Sequence, residues 1–155
     1  MSNNDPEKEE EFPALRVRMV TPMPGLETHL TFDLAAMDES GVLWTIKSVN
    51  DPAIRLFAVP PIAFFDGYVP RIPRSAKERL QLKDGEDPFI LVIIHPAQGP
   101  YPHTANLLAP LVLNPDTLDA MQVVLEDQDW PLQAPIGDPK DIGAEAEEEV
   151  PGAQS

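Results

Sequence analysis

Proline limits how long any regular element of this chain can run. There are 19 prolines in 155 residues, about 12% where about 5% is usual. Each one lacks an amide donor and clashes with a preceding helical turn, so long helices and central sheet ladders are both interrupted. Between the prolines lie short runs of Val, Ile, Leu and Phe. That is the pattern of an all-β domain with many turns. No internal repeat emerges. Seven to nine short strands and one short helix are expected, arranged as a small antiparallel β-barrel or a strongly bent sheet.

Period-two alternation places the first strands. Ala14–Val20 puts Leu15, Val17 and Met19 on one face and Arg16 and Arg18 on the other. Thr28–Leu34 is expected to turn Leu30, Phe32 and Leu34 inward. Val42–Val49 ends at Asn50-Asp51-Pro52, a strong turn signal. Ile54–Val59 is closed by Pro60-Pro61, where the chain must leave the sheet. Ile62–Tyr68 then reads as a short edge strand or a tight excursion. Ser75–Leu82 is the one helix expected, with Ser75 and Glu78 as a capping box and Asp84–Asp87 closing it. Phe89–Ile94 is continuously apolar and suits the centre of the core. Thr104–Leu108 and Leu111–Leu113 read as one strand bent at Pro110. Over Asp116–Leu125, Leu118, Met121 and Leu125 suit a helical face, while Met121–Leu125 also suits a strand; a turn at 115–119 with a strand after it is favoured. Trp130 and Leu132 are expected to anchor the terminal segment.

The acidity divides unevenly. The formal net charge is -15, yet residues 1–11 hold five acids and one lysine, and residues 137–155 hold six acids and one lysine. Nine of the fifteen negative units therefore sit in two short tails that lack aromatic residues. Such segments bury too little apolar surface to offset the ordering of their backbone. The expected organisation is a disordered acidic tail over 1–12, a folded domain over 13–136, and a second disordered acidic tail over 137–155. A basic protein partner fits this balance better than nucleic acid, whose phosphates call for lysine and arginine. The absence of cysteine excludes disulfide, zinc-cysteine and thiol chemistry. No run of about 20 apolar residues is present to span a membrane, and the acidic start is unlike a secretory signal. A cytoplasmic location is expected.

Catalytic patterns do not assemble. His29, His95 and His103 are scattered, with no H-x-x-x-H spacing for a metal. There is no G-x-S-x-G elbow and no glycine-rich phosphate loop. Asp84, Glu86 and Asp87 are the one tight carboxylate cluster, and a turn there usually gives a solvated face. Neither an enzyme nor a cofactor is expected. Surface chemistry remains. Phe64, Phe65 and Tyr68 cluster beside prolines, and aromatics bury much area for little entropy at protein interfaces. Phe64 and Phe65 have core packing as the plainer role, and so does Trp130. Asn106 and Asn114 lie among apolar residues and are expected to brace backbone near Pro110 and Pro115.

At this point the ordered motifs resemble the flagellar assembly factor FliW family. The matching pieces are Pro22–Leu26, Val42–Ala53 (VLWTIKSVNDPA), Pro60–Tyr68 (PPIAFFDGY), Thr104–Asn114 (TANLLAPLVLN), Gln122–Leu125 and Trp130–Ile136. They cover about residues 14–136. The resemblance implies a compact, non-catalytic β-barrel-like protein, monomeric when free, with two partners taken in turn. One is flagellin, held in the cytoplasm before export. The other is CsrA, a basic RNA-binding regulator whose capture relieves repression of flagellin translation. Candidate partner-binding residues are Phe64, Phe65, Asp66, Tyr68 and Trp130 in the aromatic region, with Asp84, Glu86 and Asp87 as charged contacts. The sequence departs from the family pattern at Trp130 and Gln133, where Tyr and Arg are common, and in its acidic tails. The competing readings are a small-molecule-binding or enzymatic barrel, which requires a pocket with convergent polar groups, and a stable oligomeric component of a secretion machine.

Overall fold

A computed structural model describes residues 14–97, 99 and 102–136. Both expected disordered tails lie outside them. The strands are β1 (Leu15–Met19), β2 (Thr31–Ala36), β3 (Trp44–Ser48), β4 (Arg55–Val59), β5 (Phe89–His95), β6 (Thr104–Ala105), β7 (Leu111–Asn114), β8 (Asp119–Gln122) and β9 (Ala134–Pro135). A 3-10 turn at Pro61–Ala63 follows β4, and helix α1 spans Arg74–Arg79.

The strand order is β4-β3-β2-β1-β8-β7-β5, and β5 pairs back onto β4. Seven strands thus close into a barrel, which leaves no long unpaired edge. All pairings are antiparallel except β1 with β8. β6 and β7 lie along one edge of β5, with β9 beyond β6. Between those two pairings, Val92 and Ile93 on β5 face residues 106–110 on the other side. The two parts of the expected strand do lie along one edge, but the first is only Thr104–Ala105, and residues 106–110 leave the ladder as a short excursion instead of a bend at Pro110.

Side-chain alternation explains the apolar runs. Val17, Phe32, Leu34, Ile46, Ala58, Leu91, Ile93, Leu111 and Leu113 fill the barrel interior. Their neighbours Val59, Val92 and Ile94 point outward, yet they are buried too, in a second cluster. Val112 points outward into a third, beneath α1, with Ala76, Leu80, Val123 and Leu125. β5 reads as a continuous apolar run because both of its faces are covered. The outer face of β5 is covered by the 60–68 excursion with the segment ending at Ile136, α1 covers Val112 on β7, and Trp130 packs against both clusters.

Several expectations are corrected. α1 ends at Arg79 with Leu80 as its C-cap, so it is shorter than Ser75–Leu82, and Asp84–Asp87 does not close it. The capping box is not formed. Pro73 takes the N-cap position, with no side-chain hydrogen bond, so Ser75 falls at the second helical residue and cannot serve as the cap. Gln81 then takes a left-handed φ of 59°. The buried Asn114 amide donates to the Leu80 and Gln81 carbonyls at 2.8 and 3.3 Å, so it braces the helix end as well as the turn at Pro115. Leu30 is 44% exposed. It precedes the first paired residue of β2, Thr31, so it stands at the rim and not inside. The last expected strand is shifted back to Asp119–Gln122, and only the Val123 and Leu125 amides continue bonding, to Pro110 and Leu108. Leu132 is 57% exposed and anchors nothing. Ile62–Tyr68 is the tight excursion, not an edge strand.

Candidate functional site

The site grows out of the double proline at 60–61. β4 cannot continue through two residues without amide donors, so the chain turns over in the 3-10 turn and crosses the outside of the barrel. The Phe64 and Phe65 amides both donate to the Pro61 carbonyl, at 3.0 and 2.8 Å. A further turn closes from the Tyr68 amide to the Phe65 carbonyl at 3.2 Å, with Gly67 at φ 82° supplying the left-handed step. This compact route half-buries Phe64, Phe65 and Tyr68 against the second cluster and leaves Ile62 (84%) and Val69 (66%) exposed.

Two grooves result. The first, about 530 Å³, runs between the excursion and the start of β5, lined by Pro60, Pro61, Ile62, Phe65, Asp66, Tyr68, Pro88 and Phe89 among others. Asp66 is exposed at its rim, and the exposed Asp87 adjoins Pro88 in the chain. The second groove, about 650 Å³ and more open, is floored by Leu108, Val124 and Trp130. Glu126 and Asp129 line its edge.

One aromatic pair forms the wall between the two grooves. Tyr68 and Trp130 meet edge to face with centroids 4.7 Å apart. The Tyr68 hydroxyl donates to the Leu107 carbonyl at 2.6 Å, and burial pushes its pKa upward, so it remains a donor. The Trp130 indole donates to Gln128 at 3.1 Å, and the Gln128 side chain grips the Arg71 amide and carbonyl, both at 2.9 Å. Asn106 accepts the Leu108 and Ala109 amides at 3.1 Å each. The excursion at 106–110 is thus fully braced, as expected for Asn106.

The expected site residues do not all converge. Phe65, Asp66 and Tyr68 share the first groove. Phe64 lies beside Phe65, with centroids 6.4 Å apart, but faces the core and not the groove. Asp84, Glu86 and Asp87 are exposed on the turn after α1, where the Glu86 carboxylate accepts the Lys83 amide at 2.9 Å. Trp130 belongs to the second groove, which sequence reasoning missed. Its signal was legible in the run Glu126-Asp127-Gln128-Asp129-Trp130, three acids around an aromatic. The histidines have local roles or none. His29 Nδ1 meets the Ser48 hydroxyl at 2.8 Å, His103 Nδ1 accepts the Ala97 amide at 2.9 Å, and His95 is exposed. Among the described residues no group of three or more His, Asp or Glu is placed to hold a metal, and no helix is long and apolar enough to cross a membrane.

Fold and site together define a small closed β-barrel with apolar, acid-rimmed grooves on its outer surface. Residues 7–136 match the family model described as FliW protein, and the chain belongs to the FliW family. It is 30% identical over 117 residues to the flagellar assembly factor FliW of Syntrophomonas wolfei, covering 76% of this chain and 75% of that one. It is 30% identical over 115 residues to its namesake in Bacillus subtilis, covering 74% and 80%. A crystal structure of the flagellar assembly factor FliW superposes with a TM-score of 0.72 at 26% identity, covering 81% of this chain and 88% of the other.

Proposed function

We propose that this protein is a non-catalytic flagellar assembly factor that binds flagellin in the cytoplasm and, when freed, sequesters the RNA-binding regulator CsrA, relieving repression of flagellin translation. Family membership over residues 7–136 is the observation that carries this reading. Two features of the surface support it. The first groove offers Ile62, Phe65 and Tyr68 to the apolar face of a helix, with Asp66 at its margin. The second presents Trp130 and Val124 within an acidic edge, and the turn after α1 adds Asp84, Glu86 and Asp87, which suit a basic partner. The free protein is a monomer in this reading.

Calorimetric titration with flagellin and, separately, with CsrA from the same organism tests it, at two salt concentrations. Binding to both is expected, with CsrA weakened at higher salt because exposed charge pairs are screened. Absence of binding to either partner overturns the proposal. Binding of CsrA that ignores both salt and the D84N/E86Q/D87N change removes the acidic turn from the contact face.

A further inference from the structure

Five of the chain's 11 lysines and arginines fall within residues 71–83: Arg71, Arg74, Lys77, Arg79 and Lys83, against the single acid Glu78. All five are exposed. α1 turns Ala76 and Leu80 into the third cluster, so its outer face is charged. The ion pairs among the described residues are Arg16–Asp33 and Arg18–Asp119, and neither touches this face. Arg79 donates to the Thr21 hydroxyl at 2.9 Å, a neutral partner. Among the described residues this net +4 segment forms no ion pair with a carboxylate, on a chain of net -15.

We infer that the outer face of α1 is a docking surface for the chain's own acidic run Glu145–Glu149, which places four glutamates in five positions. Charge complementarity and reach both favour this occupant. Gln128 holds Arg71 directly, and the eight residues from Gln128 to Ile136 span at most about 28 Å. The nine residues from Ile136 to Glu145 reach about 30 Å when extended, enough to return. The N-terminal acids are placed less well. Glu9–Glu11 precede the start of β1, whereas Arg79 bonds Thr21 beyond its far end, about 20 Å away along the strand. Single exposed ion pairs are weak, but tethering gives the segment an effective concentration of about millimolar. The contact is screened as ionic strength rises.

The absence of cysteine makes a site-specific probe simple. A nitroxide on A146C in the full chain should broaden the amide signals of residues 74–83 by about two-fold or more at low salt. Those signals should recover at about 0.5 M salt, and also in the same probe carrying E145Q/E147Q/E148Q/E149Q. Uniform broadening, broadening centred elsewhere, or broadening that survives the glutamine changes overturns the inference. So does an equal effect on residues 74–83 from a nitroxide on S2C.

Discussion

The Tyr68 ring is half-buried between two grooves, but its hydroxyl has one fixed task, donation to the Leu107 carbonyl. Removing that donor leaves a carbonyl without its partner in an apolar surround, at a cost of about 1–2 kcal/mol. Y68F is therefore expected to lower Tm while keeping the ring on Trp130, and Y68A to lower it further. An unchanged Tm for Y68F in thermal unfolding rejects the bracing role. A second residue-scale expectation concerns acid. The Arg16 guanidinium bonds Asp33 at 2.9 and 3.1 Å and holds its carboxyl below the usual carboxylate range. A lowered folded pKa means the stabilisation is full above the unfolded value, about 3.9, and lost as pH falls through the folded value. The effect is small because the pair is on the surface. D33N should unfold at a lower Tm than the parent at neutral pH, and the two curves should converge in acid. Parallel curves from pH 7 to pH 2 contradict the pairing.

At the scale of elements, α1 shows how a sequence motif can be present and unused. Ser75 and Glu78 have capping-box spacing, but Pro73 sets the helix entry and neither side chain caps. A working cap is worth about 0.5–2 kcal/mol. S75A is expected to cost less than about 0.5 kcal/mol, whereas L80A, which empties a fully buried position, should cost about 2–5 kcal/mol. Chemical denaturation of both variants checks the pair, and a costly S75A restores the capping box. β1 and β5 mark how far elements were legible. β1 alternates one buried face with one charged face, and its pattern is plain in the sequence. β5 is plain as a buried strand, but a continuous apolar run does not say what covers its second face. Leu30 and Leu132 misled for the opposite reason. They are apolar, yet each falls where the chain is passing the rim or the surface, which only the fold decides.

For the molecule as a whole, closure of seven strands leaves only the short β9 as an open edge among the described strands, and the exposed apolar residues Ile62, Val69 and Val124 lie on the outer covers of the barrel. The core clusters lie between Leu15 and Ile136. Deleting residues 1–11 and 138–155 should then shift Tm by no more than about 2–4 °C, while slowing association with a basic partner at low salt. A large Tm loss contradicts that division of labour. The candidate site was half legible. Phe65, Asp66 and Tyr68 were found because aromatics beside prolines and a turn glycine mark an excursion. The groove at Trp130 was missed because Leu108 and Val124 come to it from distant stretches of chain.

The sequence alone determined that the strands are short, that the chain leaves the sheet at Pro60-Pro61, and the family motifs. These follow from local rules: proline withholds a donor, and side chains alternate along a strand. Only the tertiary structure decided that β5 returns to β4, that α1 covers Val112, and that Tyr68 and Trp130 meet. Each of those joins residues far apart in sequence, and many pairings satisfy the same local pattern. Packing selects among them, because both faces of β5 must be covered and Tyr68 must find an acceptor for its hydroxyl.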